Sequence, residues 1–495
     1  MPSSNRPVAP GSPSLGRKLA FRLGAVLLGL LPLVAVEAAL GILDWGRPDV
    51  HDDPFVGFKA VHPLFVLGED GSRYEVSPSR LDYFRPESFA AEKQAGEFRI
   101  FCLGGSTVQG RPFAVETSFT TWLEISLQAA DPSRTWEVVN CGGVSYASYR
   151  LVPILEEVLG YQPNLVILYT GHNEFLEDRT YRHLKRLPAP LAWPCRQLAR
   201  TRTFVLLNRA YRQVRGESAD TAPENRPMLE SEVAAMLESP GGLGLYHRDE
   251  RWRQDTIEHF RHNVARMVQT CRQSGVPVVL VNPVASLRDC PPFKSEHRAG
   301  LEPDELARWQ TLLDAAAEYG LNEQERALAL LQEAAEIDDQ HAGAYYTLAQ
   351  CYDDLGMFEE AHAAYLQAKE LDVCPLRIVE PMNEAILDVA EEAGAILVDV
   401  RKFYEEASDA GIPGGYLLVD HVHPSITGHQ KIADLLAEEL VARGFIQPVP
   451  QWHETRDRRY GEHLQSLDDF YFSKGQQRLE ALRRWAQGAA GRRQP

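Results

Sequence analysis

The sequence predicts an α/β fold, a three-layer sandwich with about five parallel strands. Two observations predict it. From Phe98 onward, short apolar runs of strand length alternate with amphipathic stretches of helix length, the order that puts crossover helices on both faces of a parallel sheet. The first such run, FRIFCL, ends on Gly104-Gly105-Ser106, where two missing Cβ atoms let a buried strand turn sharply and present a hydroxyl at its carboxyl end.

Taken in order, residues 1–18 are rich in Pro, Ser and Gly and are expected to be a disordered cytoplasmic N-terminus. Residues 19–43 are strongly apolar, interrupted by Arg22, Pro32 and Glu37, and the run after Arg22 is about long enough to cross a bilayer. Arg17, Lys18 and Arg22 precede the run, and Asp44, Asp49, Asp52 and Asp53 follow it. The positive-inside rule therefore predicts a single-pass transmembrane helix with the N-terminus cytoplasmic and the rest of the chain extracytoplasmic. A cleaved signal peptide fits less well, because Val36-Glu37-Ala38 is a poor cleavage pattern, and a buried soluble helix leaves the charge asymmetry unexplained. Residues 44–95, with scattered aromatics and prolines, are expected to be an irregular wrapping segment.

The main domain is expected over 96–320 and 375–445. Its strands are predicted at Arg99–Leu103, Trp136–Asn140, Leu165–Thr170, Val276–Val281 and Ala395–Val400, and its helices at Ser118–Ala130, Tyr149–Leu159, Gln254–Ser274 and Ile378–Ala393. Between the two parts, residues 321–374 read as an inserted α-helical hairpin. Ala327, Leu331, Ala334, Ile337 and Asp338 recur thirty-four residues later as Ala361, Tyr365, Ala368, Leu371 and Asp372, the period of a tetratricopeptide repeat. About one and a half repeats are too few for a free-standing solenoid, so the insertion is expected to lean on the α/β domain. Residues 446–495 read as a charged helical tail of solvated helices.

Composition narrows the function classes. A net charge of −18 argues against a nucleic-acid partner, since phosphate binding needs clustered Lys and Arg. Seven cysteines show no C-x-x-C pair and no regular framework, so neither a zinc site nor a disulfide scaffold is expected.

Three further stretches complement Ser106. The second strand ends at Asn140 and continues CGGVSYAS, a small-residue loop able to bring backbone N–H groups against a ligand. The third ends on Gly171-His172-Asn173-Glu174. Near the end of the domain, VDHVHPSITGH places Asp420 and His423 three residues apart before a predicted helix. Serine is a weak nucleophile unless a base takes its proton. An imidazole can do so near neutral pH, and a carboxylate fixes its tautomer. Asp420, His421 and His423 also invite a metal reading, but no further cluster completes a site, and neither a metal nor a cofactor is expected.

These four blocks, GGST, the small-residue loop, G-x-N and D-x-x-H-P, resemble those of the SGNH (GDSL-like) hydrolase family over Phe98–Leu176 and Ile378–Leu440. The resemblance implies Ser106 as nucleophile, His423 as general base, Asp420 as its orienting carboxylate and Asn173 as an oxyanion donor. The usual G-D-S is Gly104-Gly105-Ser106 here. Ser145 stands where the family has its second-block glycine, so either Ser145 or Gly143 is expected to supply the second oxyanion N–H. His172 and Glu174 are expected either to shape the pocket or to serve packing and loop capping. The segment Arg288–Arg298 is expected to border the substrate or to be an exposed loop.

The function implied is a membrane-anchored extracytoplasmic serine esterase or deacylase, acting through an acyl-enzyme on an ester of a carbohydrate or lipid. An envelope O-acyltransferase using the same triad is the near variant. A non-catalytic tetratricopeptide scaffold that binds a protein partner is the alternative from another class.

Overall fold

The computed structural model describes residues 32, 34–43, 45, 63–176, 201–203, 206–207, 242–319 and 323–490. The chain divides into two compact units, residues 1–59 with 180–226, and residues 60–179 with 227–495.

In the first unit, residues 34–42 are helical. Glu37, the acid that interrupts the apolar run, accepts hydrogen bonds from the backbone N–H groups of Arg202 (2.6 Å) and Thr203 (3.0 Å) and from the Thr203 hydroxyl (2.8 Å). Most of the expected anchor at 19–43 lies outside the described residues, as does the expected disordered segment 1–18. Among the described residues no helix is long and apolar enough to cross a membrane.

The second unit opens with three short strands, β1 (Phe65–Leu67), β2 (Arg73–Val76) and β3 (Ser88–Ala90), paired as an antiparallel sheet in the order β1-β2-β3. The irregular segment expected over 44–95 is thus partly ordered. Its strands are three or four residues long, too short to show period-two alternation, and they are held by rings. Phe89 packs edge-on against Phe65 and Phe101, at 4.9 and 5.2 Å between centroids.

The main sheet follows: β4 (Glu97–Gly104), β5 (Thr135–Gly142), β6 (Leu165–Tyr169), β7 (Val278–Asn282) and β8 (Ile396–Asp399), all parallel in the order β5-β4-β6-β7-β8. Every residue of β4, β6 and β7 is buried, as a sheet covered on both faces requires. The helices between these strands are α1 (Ser106–Gln109), α2 (Phe119–Ala130), α3 (Ser148–Val158) and α4 (Glu250–Gln273). Four more, α5 (Pro303–Tyr319), α6 (Gln324–Ile337), α7 (Ala342–Asp354) and α8 (Phe358–Leu371), form the helical insertion, in which each packs on the next. The chain ends with α9 (Glu380–Ala393), α10 (Val400–Ala407), α11 (Ile426–Ala442), α12 (Trp452–Ser466) and α13 (Asp469–Ala490). Helices α2, α11 and α12 pack together, and so do α3, α4 and α9. Ile100 and Cys102 of β4 join Trp122, Leu123, Ile432 and Leu436 in one continuous apolar cluster.

Two elements depart from expectation. Helix α5 lies before the expected bounds 321–374 yet packs on α6, so the helical insertion begins earlier than its repeat period indicates. The C-terminal helices are more than a solvated tail: the Tyr460 ring of α12 meets Trp122 at 4.8 Å, and a Cβ on Gly475 of α13 would lie 2.0 Å from the Phe113 ring.

Candidate active site

The sheet order reverses direction between β4 and β6, and loops leaving neighbouring strands diverge at such a point and open a crevice. Ser106 follows β4 there, and Asn173 follows β6. Gly104 and Tyr169 are in register at the strand ends, and a Cβ on Gly104 would sit 2.1 Å from the Tyr169 carbonyl oxygen and 2.3 Å from a Val108 methyl. Glycine is therefore needed for β4 and β6 to stay paired up to the turn.

Ser106 Oγ lies 2.7 Å from His423 Nε2, and His423 Nδ1 lies 2.7 Å from Asp420 Oδ2. The other carboxylate oxygen accepts the backbone N–H groups of Val422 (3.0 Å) and His423 (2.8 Å), which holds the acid in a tight turn. Burial alone would push the Asp420 carboxyl up, but the adjoining imidazoles of His423 and His421 and the hydrogen bonds it accepts outweigh burial and hold it well below the usual carboxylate range. An ionised carboxylate only accepts. The hydrogen therefore sits on Nδ1, which leaves Nε2 free to accept the Ser106 hydroxyl.

Beside Ser106, a Cβ on Gly105 would lie 2.5 Å from Asn173 Nδ2 and 3.4 Å from the Tyr146 carbonyl oxygen, and Asn173 Nδ2 donates to that carbonyl at 3.0 Å. The absence of a side chain at 105 thus lets the amide close on the turn that carries the hydroxyl. Ser145 adopts the left-handed conformation, φ 62°, that glycine would occupy without strain. Gly143 departs from its expected role. Its N–H donates to the Gly104 carbonyl at 3.0 Å and so ties the second-block loop to β4. Of the two residues named for the second donor, Ser145 is the one whose N–H makes no backbone hydrogen bond among the described residues.

His172 and Glu174 separate. Glu174 is fully buried and accepts the N–H (2.6 Å) and hydroxyl (3.0 Å) of Ser148, so it caps the start of α3 and does not line a pocket. His172 is buried beside His421 and His423, with Nδ1 accepting the Ile378 N–H at 3.3 Å. Burial first, then the neighbouring imidazoles, lower its pKa to about 3, so it is a neutral ring.

Asp420, His421 and His423 offer ligand atoms within 4.8 Å of one another. Both nitrogens of His423 are already engaged, so a metal there would displace either the hydroxyl or the carboxylate from the relay.

A cavity of about 490 Å³ opens against Asp420 and His421. Its wall also includes Cys290, Phe293, Leu418 and Arg483, and Phe293 stands edge-on to the His421 ring at 5.3 Å. The segment Arg288–Arg298 is thus wall rather than exposed loop along part of its length. Sequence reasoning missed Arg483, which lies in the tail yet donates to the Val419 carbonyl at 3.3 Å. It also missed Asn140, whose buried side chain donates to the Val108 carbonyl (2.7 Å) and the Thr120 hydroxyl (2.9 Å), and accepts from the Gly142 N–H (2.9 Å), fixing the end of α1. An asparagine closing an apolar strand in the sequence is the signal that could have found it.

No curated relative matches the chain. Among solved structures, an acetylxylan esterase, Axe2, from Geobacillus stearothermophilus is 13% identical, with 72% of this chain and 97% of that one covered and a TM-score of 0.32. A lipase/acylhydrolase from Enterococcus faecalis is 12% identical, covers 71% and 98%, and has a TM-score of 0.31. Residues 323–373 match the tetratricopeptide repeat family model, over the stretch where the thirty-four-residue period predicts such a repeat.

Proposed function

We propose that the chain is an SGNH-type serine esterase or deacylase that works through an acyl-enzyme. The observation that carries this reading is the unbroken line from Ser106 Oγ through His423 to Asp420, 2.7 Å at each step, with the Asn173 amide against the same turn.

In this reading His423 Nε2 takes the Ser106 proton as Oγ attacks the ester carbonyl. The imidazolium that forms is stabilised by Asp420. The oxyanion is met by the Asn173 amide and the Ser145 N–H, donors fixed in place before the charge develops. His423 then gives its proton to the departing alkoxide, leaving an acyl ester on Ser106. A water deprotonated by His423 attacks that ester and releases the acid. The cavity wall includes Asp420 and His421 but not Ser106, so it is suited to a group extending from the scissile ester. A carbohydrate or lipid ester of the cell envelope is the proposed substrate class.

The proposed location is the extracytoplasmic face, with residues 19–43 as the anchor. The support is the basic flank before that run and the acidic one after it. A reporter fused after Gly46 that proves active only in the cytoplasm overturns this placement.

The chemistry is tested with a fluorophosphonate probe and 4-nitrophenyl acetate on the detergent-solubilised protein. Labelling and hydrolysis are expected, with both lost in Ser106→Ala and hydrolysis lowered in His423→Ala by about 10⁴-fold or more. Parent activity no greater than that of Ser106→Ala sinks the esterase reading.

A further inference from the structure

The two aspartates that recur thirty-four residues apart, Asp338 and Asp372, are both buried, and both turn toward the same loop. Asp372 follows α8. Its carboxylate accepts the backbone N–H groups of Phe293 (2.7 Å), Lys294 (3.0 Å) and Cys374 (3.0 Å) and lies 3.7 Å from the Arg377 guanidinium. Asp338 follows α6. It accepts the N–H groups of Arg298 (3.2 Å) and Gln340 (3.1 Å) and lies 2.7 Å from His297 Nδ1. Equivalent positions of successive repeat units thus grip one loop at points four to five residues apart.

Helix α7, which lies between them, holds more of it. Asp353 of α7 takes Arg288 in a fork at 2.7 and 2.9 Å, the Tyr346 hydroxyl donates to the Arg288 carbonyl (2.6 Å), and the Gly343 N–H donates to the Ser295 hydroxyl (2.8 Å). On its other side the same loop faces the candidate active site. The Ser286 N–H donates to the His421 carbonyl (2.9 Å), Arg377 donates to the carbonyls of Ser286 (2.9 Å) and Cys290 (2.8 Å), and the Phe293 ring meets His421. Cys290, Pro291 and Phe293 are wall of the cavity.

We propose that Asp338 and Asp372 are positioning residues that set the shape of the cavity wall through loop 286–298, so that the repeat segment determines which esters reach Ser106. Selection by size rests on the esterase reading above; the grip on the loop does not. A repeat in this role is part of the site's own framework, and its helix ends are spent on the chain itself.

The experiment compares the full-length protein with D372N and D338N on 4-nitrophenyl acetate and 4-nitrophenyl octanoate. D372N removes the charge that faces Arg377 and turns an N–H₂ toward a backbone donor. D338N loosens the same loop at its other end, at Arg298, and so stands in where D372N does not fold. The expected result is a fall of about tenfold or more in kcat/KM for octanoate, carried by KM, with acetate turnover and fluorophosphonate labelling within about threefold of the parent. Parallel change in both esters, or no change in any variant, overturns the proposal. If the parent cleaves neither ester, the esterase reading fails and the grip is judged by amide hydrogen exchange. Exchange of residues 291–298 faster by about tenfold or more in the D338N/D372N double variant supports it, and unchanged exchange overturns it.

Discussion

The carboxylate of Asp420 does three jobs with two oxygens: it closes its own turn, fixes the His423 ring and sets the tautomer. Asp420→Asn keeps the shape but turns an amide toward Nδ1, so turnover of 4-nitrophenyl acetate is expected to fall by about 10⁴-fold with the fold intact by circular dichroism. Asn173 is read as stabilising charge that exists only in the transition state. Asn173→Ala should therefore lower kcat by about 100- to 1,000-fold and leave KM nearly unchanged. Ser145 gives the opposite forecast. Its proposed donor is a backbone N–H held at φ 62°, so Ser145→Gly is expected to keep kcat/KM and to be neutral or up to about 1 kcal/mol more stable in urea unfolding. A large loss of activity in that variant would move the second donor elsewhere. Ser145 and Asn173 were legible as candidates because each follows the end of a strand, and such ends lie side by side in a parallel sheet, whereas Asp420 was legible from its spacing to His423. Glu174 was not separable from its neighbour His172, because a cap and a pocket residue differ only in what stands opposite, and Ser148 is twenty-six residues away.

At the scale of elements, β4 was readable from its short apolar run and its terminal glycines, and Gly104 shows why the pattern cannot vary. In Gly104→Ala the new methyl meets the Tyr169 carbonyl and Val108, and a loss of about 1–3 kcal/mol in the urea midpoint analysis is expected. Less visible was how the edge of the sheet is finished. Among the described residues strand β5 has no strand neighbour beyond it, and its outward N–H groups are met by side chains: Val138 by Glu124 (2.8 Å) and Asn140 by Glu87 (3.3 Å). Such an edge is closed to further strands. The acids come from segments that sequence pattern assigns to a helix face and to an irregular stretch, so nothing local marks them. The cost is electrostatic: burial, only partly offset by the two N–H groups it accepts, pushes Glu87 up to about 7. Because the folded pKa lies above the unfolded one, the folded state holds a proton that the unfolded chain has released. Stability from this group is full below about pH 4.5 and declines as pH rises through about 7. Thermal unfolding from about pH 5 to about pH 9 is expected to show the parent falling relative to Glu87→Gln; curves that stay parallel would count against a buried, protonated Glu87.

For the molecule as a whole, the repeat period was plain in the sequence, while the use made of it was not, since the gripped loop lies tens of residues upstream and has no periodicity of its own. The same contacts bear on how the larger unit unfolds. Helices α7 and α8 complete an apolar cluster with Leu287 and Ile412, residues outside the insertion, and Arg288 is forked onto Asp353 across the same seam. Two helix pairs are fewer than the three repeats a self-standing array needs, so these contacts replace the missing neighbours. The repeat should therefore melt with the sheet and not before it. In calorimetry of the full chain, residues 60–179 and 227–495 are expected to share one transition that includes the repeat. Arg288→Ala, which leaves Asp353 without its fork, should lower that transition as a whole by several degrees, corresponding to about 1–3 kcal/mol. An early transition that splits off in the variant, with exchange protection lost over residues 303–371 alone, would show instead that the helices fold as a body of their own.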